Sequence, residues 1–495
     1  MTTTTWARSV IKEEEVSRYL RDDGSDFIDD AAIERQLVEA RNPDPVRIRD
    51  ILAKSRAIQT LTPEETALLL NVNDEELLAE MRETALANKL KVYDNRIVTF
   101  APLYCSSFCV NNCLYCGFRA GNGEMTRRRL TIPEVEAETR ALAGTFGHKR
   151  LVVVYGEHPS SDADYIAETI DAIYNVQVPT RKGAATIRRV NVNAAPMSIA
   201  DLRGLSQVGL GTFQVFQETY HHETYRRLHG TRGPKSNYRW RLYSMHRAQE
   251  AGVTDVGLGA LFGLYDWKFE VMGLLYHTRE LEARFGGVGA HTISFPRLEP
   301  ASNAPFLSES RYRVSDRDFR RIITVLRLAV PYTGLICTAR EPAPIRDEAV
   351  RLGITQMDAS TRIGIGAYAE RWDDQERERQ QFMLGDTRSL EELVGDLARM
   401  GTITSFCTAG YRIGRTGERI MRLLRSCEEG KFCKLNAVIT FREWLDDFAG
   451  DATKALGEEL IRKELAESIK AAPAMAGKFS DYYERTVSGE RDLYL

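Results

Sequence analysis

Residues 101–118 read APLYCSSFCVNNCLYCGF, and this stretch decides how the rest of the chain is read. Cys109, Cys113 and Cys116 form a C-x3-C-x2-C run with an aromatic residue, Tyr115, just before the third cysteine. Three thiolates on one short loop can hold three corners of a cubane [4Fe–4S] cluster and leave the fourth iron open to a small chelating ligand. A structural zinc site is the competing reading, but it needs four closed ligands in paired spacing, and no fourth is evident. Cys105 falls within a predicted strand and reads as a buried small side chain.

Outward from this loop, from about residue 98, short apolar runs alternate with amphipathic stretches. Eight runs read as strands: 98–106, 150–155, 188–194, 212–218, 254–262, 291–296, 334–340 and 354–359. Helical stretches follow most of them, at 162–174, 238–250, 268–285, 316–328 and 344–352. Another begins at Thr131, with Glu134 three residues on in capping-box spacing. Eight strand–helix units over about 260 residues match a (β/α)8 barrel, an α/β TIM-barrel fold. An open doubly wound sheet alternates in the same way and stays open as an alternative. The expected organisation is a helical N-terminal extension (1–95), the barrel (96–380) and a mostly helical C-terminal domain (381–495). That last domain opens with an amphipathic helix at 389–400.

Composition narrows the class of function. The net charge is −3, so no global basic field points to nucleic acid. No apolar run approaches a membrane span, and the apolar stretch near the start is cut off by Glu13, Glu14 and Glu15 before it resembles a signal peptide. The expectation is a cytoplasmic protein without membrane or nucleic-acid partners. The eight cysteines, mostly in two clusters, point in such a chain to metal or redox work rather than to disulfides.

Barrel enzymes place their chemistry at the C-terminal ends of the strands, and the cysteine loop follows the first of them. Polar residues close others: Gly156–Glu157 after the second, Asn191 and Asn193 on the third, Gln217–Glu218 on the fourth, Arg340–Glu341 on the seventh. Singly these are ordinary capping residues. Together on one rim they suggest an active site.

With these residues in place the sequence resembles the radical S-adenosylmethionine (SAM) lyases of aromatic amino acids. That family includes the [FeFe]-hydrogenase maturase HydG, the 2-iminoacetate synthase ThiH and the tryptophan lyase NosL. The stretches carrying the resemblance include GHKRL 147–151, RVNVN 189–193, FQETYH 216–221, DVGLG 255–259, LFGL 261–264, HTIS 291–294, AVPYTG 329–334, SFCTA 405–409 and GRTGE 414–418. The resemblance implies a radical SAM core in which Cys109, Cys113 and Cys116 hold the SAM-cleaving [4Fe–4S] cluster. Gly156 and Glu157 would contact SAM, the carboxylate of Glu157 at its amino group, with Asn193 and Glu218 nearby. Arg340 would hold the carboxylate of an amino-acid substrate, for which a guanidinium fork is suited. The implied reaction is Cα–Cβ cleavage of tyrosine to p-cresol and dehydroglycine, driven by an electron from a donor such as ferredoxin or flavodoxin.

The chain also departs from the family. A second iron–sulfur cluster is held there by C-x2-C-x22-C; here Cys407 and Cys433 stand at the first and third positions, with Gly410 between. Glycine has no ligand atom, so the auxiliary site loses a thiolate unless Cys427 replaces it. His277 matches the family histidine that ligates an extra iron at that site. Asp358, in MDAST 357–361 where the family more often reads Ile-Ser-Ala-Gly-Ser, adds a carboxylate beside the substrate, and Cys337 and Ala339 also differ. Three functions stay in play: a tyrosine lyase, with or without carbon monoxide and cyanide formation for hydrogenase; a lyase diverged to another amino acid or pathway; and a non-catalytic iron–sulfur carrier.

Overall fold

In the computed structural model, which describes residues 3–371 and 375–495, eight parallel strands close on themselves. Residues 1–2 and 372–374, inside the expected N-terminal and barrel segments, lie outside the described residues. The strands are β1 (Arg96–Ser106), β2 (Arg150–Tyr155), β3 (Arg189–Asn193), β4 (Leu210–Gln214), β5 (Val256–Gly259), β6 (Thr292–Ser294), β7 (Gly334–Cys337) and β8 (Gln356–Asp358). Each pairs in parallel with the next. The ring is shut by β8 on β1, in the register Val98↔Gln356 to Phe100↔Asp358. That pairing excludes the open sheet, whose edge strands would not meet.

β1 is buried along its whole length, as a strand covered on both faces must be. Its first residues also pair with a ninth strand, β9 (Ile403–Ser405), at the end of the barrel opposite the cysteine loop. The expected capping boxes form at Thr131/Glu134 and at Ser389/Glu392. The fourth strand ends at Gln214, short of the expected 218. Glu218 takes a left-handed φ of +72°, which a regular ladder does not accommodate, and is joined by an isolated bridge to Ala260, just past the end of β5. Helices Ile199–Gln207 and His222–His229 were not anticipated. Both are short and follow side-chain N-caps, Ser198 and His221, and short helices of this kind carry little periodic signal.

Helices at both ends of the chain pack on the barrel. Helix Glu75–Tyr93 lies against Asp316–Ala329, and Ser55 donates to the Leu328 carbonyl at 2.8 Å. At the bottom of the barrel, helix Glu429–Asp447 sends in Glu443 to meet Lys149 and Arg188, which stand just before β2 and β3. Glu443 Oε1 is 2.6 Å from Lys149 Nζ and 2.5 Å from Arg188 Nη2, and all three side chains are buried. Burial alone would push the Glu443 carboxyl up, but the two cations outweigh it and hold it far below its ordinary value. The triad ties the C-terminal helix to the barrel floor. Glu443→Gln leaves the buried Lys149 without a counter-charge and Arg188 with Asp492 alone, and we expect it to lower stability by about 3–5 kcal/mol in urea denaturation.

Candidate active site

The cysteine loop lies over the C-terminal ends of the strands and is pinned there by the backbone. Gly156 N–H donates to the Ser106 carbonyl and Val110 N–H to that of Glu157. A Cβ at Gly156 would stand 2.2 Å from the Phe108 carbonyl oxygen, so only glycine lets the end of β2 approach the loop this closely. The result is a cavity of about 210 Å³ lined by Cys109, Cys113 and Cys116 and also by Gly156, Glu157, Asn193, Glu218 and Arg340. Residues spread over about 230 positions of sequence, from Cys109 to Arg340, meet around this cavity; Asn191, Gln217 and Glu341 are not among its lining. Cys105 does not join them; it is fully buried in the core on β1.

The cavity is strongly polarised. Glu157 is buried and accepts from Asn111 Nδ2, and desolvation pushes its carboxyl up. Glu218 is also desolvated, but Lys235 Nζ at 2.6 Å and Arg241 Nη2 at 3.4 Å outweigh that and hold it below its ordinary value. Burial pushes the Cys113 thiol up to about 11, and Cys109 and Cys116 rise for the same reason, reinforced by neighbouring thiols. Buried thiols of this kind become thiolates when a metal supplies positive charge. Among the described residues no three His, Cys, Asp or Glu side chains converge on a point that one ion would fill. The thiols surround a space instead, and as a three-thiolate donor set they fit a cubane with one open iron.

Arg340 faces the same cavity. Its guanidinium lies 3.2 Å from the centroid of the Phe382 ring, and among the described residues no carboxylate comes within ion-pair distance of it. Glu299 acts on Arg340 electrostatically; burial, reinforced by Glu341, pushes its carboxyl up to about 7 against the pull of Arg340 and Arg297. Asp358 lines the same cavity, where the sequence placed it, and both of its carboxylate oxygens are already engaged. One oxygen accepts from Ala339 N–H at 2.8 Å, the other from Thr361 Oγ1 at 2.7 Å, and Arg346 lies 3.4 Å away. It fixes the backbone immediately before Arg340.

The auxiliary-site residues divide. Cys407 and Cys433 meet within hydrogen-bonding distance, with Arg150, Arg96 and His291 close to Cys407. His277 is not brought to them. It is buried on helix Trp267–Arg284 against Phe27, His246 and Tyr220, whose hydroxyl lies 2.9 Å from its Nδ1. The histidine beside Cys407 is His291, at the entry to β6, with Nε2 2.9 Å from the Tyr411 hydroxyl. Cys427 is half-buried next to Lys91, with its thiol toward the Arg425 carbonyl. Two thiols do not make the three-thiolate donor set of a cubane.

Sequence reading did not single out Asn111, Lys235, Arg241 or His291, nor Gln381 and Phe382 on the segment after β8. Asn111 sits inside the cysteine motif and was within reach. The others are placed by tertiary folding.

A model of the Radical SAM superfamily matches residues 103–272, and one of the Biotin and Thiamin Synthesis associated domain matches residues 294–403. Barrel, thiol loop and polar rim thus define a radical SAM enzyme, whose cofactors are a [4Fe–4S] cluster and SAM. A crystal structure of HydG, a maturase of the [FeFe]-hydrogenase, is 43% identical, covers 95% of this chain and 100% of its own, and superposes with a TM-score of 0.89. HydG from Carboxydothermus hydrogenoformans is 37% identical, with coverages of 92% and 98% and a TM-score of 0.75. The 2-iminoacetate synthase of Escherichia coli K12 is 28% identical over 73% of this chain and 90% of its own length. The chain belongs to the HydG family.

Asp358→Ala removes an acceptor from Ala339 N–H and a partner from Arg346, both buried. We expect a loss of about 2–4 kcal/mol in denaturant unfolding of the metal-free chain.

Proposed function

We propose that this radical SAM lyase cleaves the Cα–Cβ bond of tyrosine and stops at p-cresol and dehydroglycine. The observation that carries the reading is the unpaired Arg340 guanidinium in the same cavity as Cys109, Cys113 and Cys116. A bidentate guanidinium suits an α-carboxylate, and Phe382 beneath it holds the fork in one plane. A substrate anchored there has its amino group and Cα inside the cavity.

The three cysteines would hold the cluster, which when bound supplies the electron that splits SAM into methionine and the radical that takes hydrogen from the substrate amino group. Glu157 is suited to the ammonium of SAM: it is a buried carboxylate with one amide donor, and no cation lies within ion-pair distance among the described residues. Gly156 permits the close approach of backbone at that point, and Asn193 lines the wall beside it. Lys235 and Arg241 keep Glu218 ionised as a fixed negative charge at the rim. The 4-hydroxybenzyl fragment then takes up an electron and a proton to leave as p-cresol.

Carbon monoxide and cyanide formation is set aside because Cys407 and Cys433 lack a third thiolate. A carrier would have no use for an unpaired cation opposite its thiols. None of the eight cysteines is joined in a disulfide, which suits a reducing cytoplasm, and ferredoxin or flavodoxin would serve as electron donor. Among the described residues no helix is long and apolar enough to cross a membrane.

Anaerobic reconstitution followed by SAM, reductant and tyrosine should give 5′-deoxyadenosine and p-cresol without either gas. Both gases would show that another ligand completes the auxiliary site, and no 5′-deoxyadenosine would overturn the reading. Arg340→Leu should raise KM for tyrosine about a hundredfold, the scale of two charge-assisted hydrogen bonds. As pH rises through 7, Glu299 ionises and competes for Arg340, so KM should rise on the alkaline side; Glu299→Gln should flatten that profile.

A further inference from the structure

The segment after β8 returns across the mouth of the barrel as a strap and lies directly on the cysteine loop. Gly117 N–H donates to the Gln381 carbonyl at 3.1 Å, and a Cβ at Gly117 would stand 2.8 Å from that oxygen. The strap is fastened on either side, with the Glu378 carbonyl accepting from Thr126 N–H and Met383 N–H donating to the Pro300 carbonyl. Two consecutive side chains enter the cavity from it. Phe382 lies under Arg340. Gln381 turns the other way, with Nε2 3.5 Å from Cys116 Sγ.

The amide of Gln381 is not free to rotate. Tyr104, on β1, donates its hydroxyl to Gln381 Oε1 at 3.0 Å. With the oxygen taken, the N–H group is left to face the sulfur. Cys109 also has an amide near its sulfur, Asn111 Nδ2 at 3.7 Å, but that amide is shared with Glu157 and belongs to the same loop. Gln381 comes from the far side of the barrel mouth, and its donor is oriented by a residue of the cavity wall.

We propose that Gln381 is a positioning residue for the cluster: its amide, oriented by Tyr104, donates to Cys116 Sγ and raises the potential at which the cluster accepts an electron. The physical basis is general. A hydrogen bond to a ligating sulfur stabilises the more negative, reduced cluster and shifts its potential upward. The inference rests on the reading that Cys109, Cys113 and Cys116 hold that cluster.

The test is a redox titration of the reconstituted holoenzyme, followed by electron paramagnetic resonance of the reduced cluster, with iron and sulfide counted in every sample. At the wild-type midpoint, the reduced-to-oxidised ratio should fall about tenfold in Gln381→Leu, equal to about 59 mV for a one-electron couple. In Tyr104→Phe the amide stays but loses its orienting partner, so the ratio should fall in the same direction by about threefold. A full complement of cluster with both ratios unchanged would overturn the proposal while leaving the cluster assignment intact. Failure of the wild-type chain to assemble the cluster would overturn both. Should Gln381→Leu not hold its cluster, Tyr104→Phe alone decides.

Discussion

Everything in this molecule depends on holding three thiols around one cavity without offering a fourth. The loop that carries them is short, polar and rich in backbone groups, and would wander if left to itself. Backbone bonds to Ser106 and Glu157, and a contact at Gly156 too tight for any side chain, press it against the end of β2. The strap from the far side of the barrel presses down from above at Gly117. Cys105, four residues before the first thiol, is turned into the core and cannot complete the set. The open position is a product of packing, not of cysteine count.

The rim answers the same constraint with charge. Thiols, three carboxylates (Glu157, Glu218 and Asp358) and three cations share a small cavity, and each charge needs a partner or a ligand. Glu218 is satisfied by Lys235 and Arg241. Glu157 and Arg340 have no opposite charge at ion-pair distance among the described residues, and they have opposite signs. Under the proposed reading, the ammonium of SAM would meet Glu157 and the carboxylate of an amino acid would meet Arg340.

Much of this was legible in the sequence, for physical reasons. Strands buried on both faces read as apolar runs, so seven of the eight were located within a few residues and β2 to the residue. The cysteine spacing is visible directly in the sequence, and Glu157, Asn193, Glu218 and Arg340 stand at or just past strand ends, where barrel geometry gathers side chains. What failed was local conformation and long-range contact. The early end of β4 comes from the backbone turn at Glu218. Asp358 does line the cavity, but its bond to Ala339 N–H joins two strand ends nineteen residues apart and carries no local signal. His277 was matched by position on a helix, but that helix faces Phe27 and His246, while His291 reaches the floor of the barrel where Cys407 and Cys433 meet. Gln381 and Phe382 belong to a segment without periodicity, whose meaning appears only when it crosses the barrel mouth.

The most direct test of the central claim is electron–nuclear double resonance of the reduced, reconstituted chain with SAM labelled at its methionine nitrogen. One cubane per chain, with the labelled nitrogen coupled to a single iron, is the predicted result. A metal with four protein ligands, or a cluster whose spectrum ignores SAM, would contradict it.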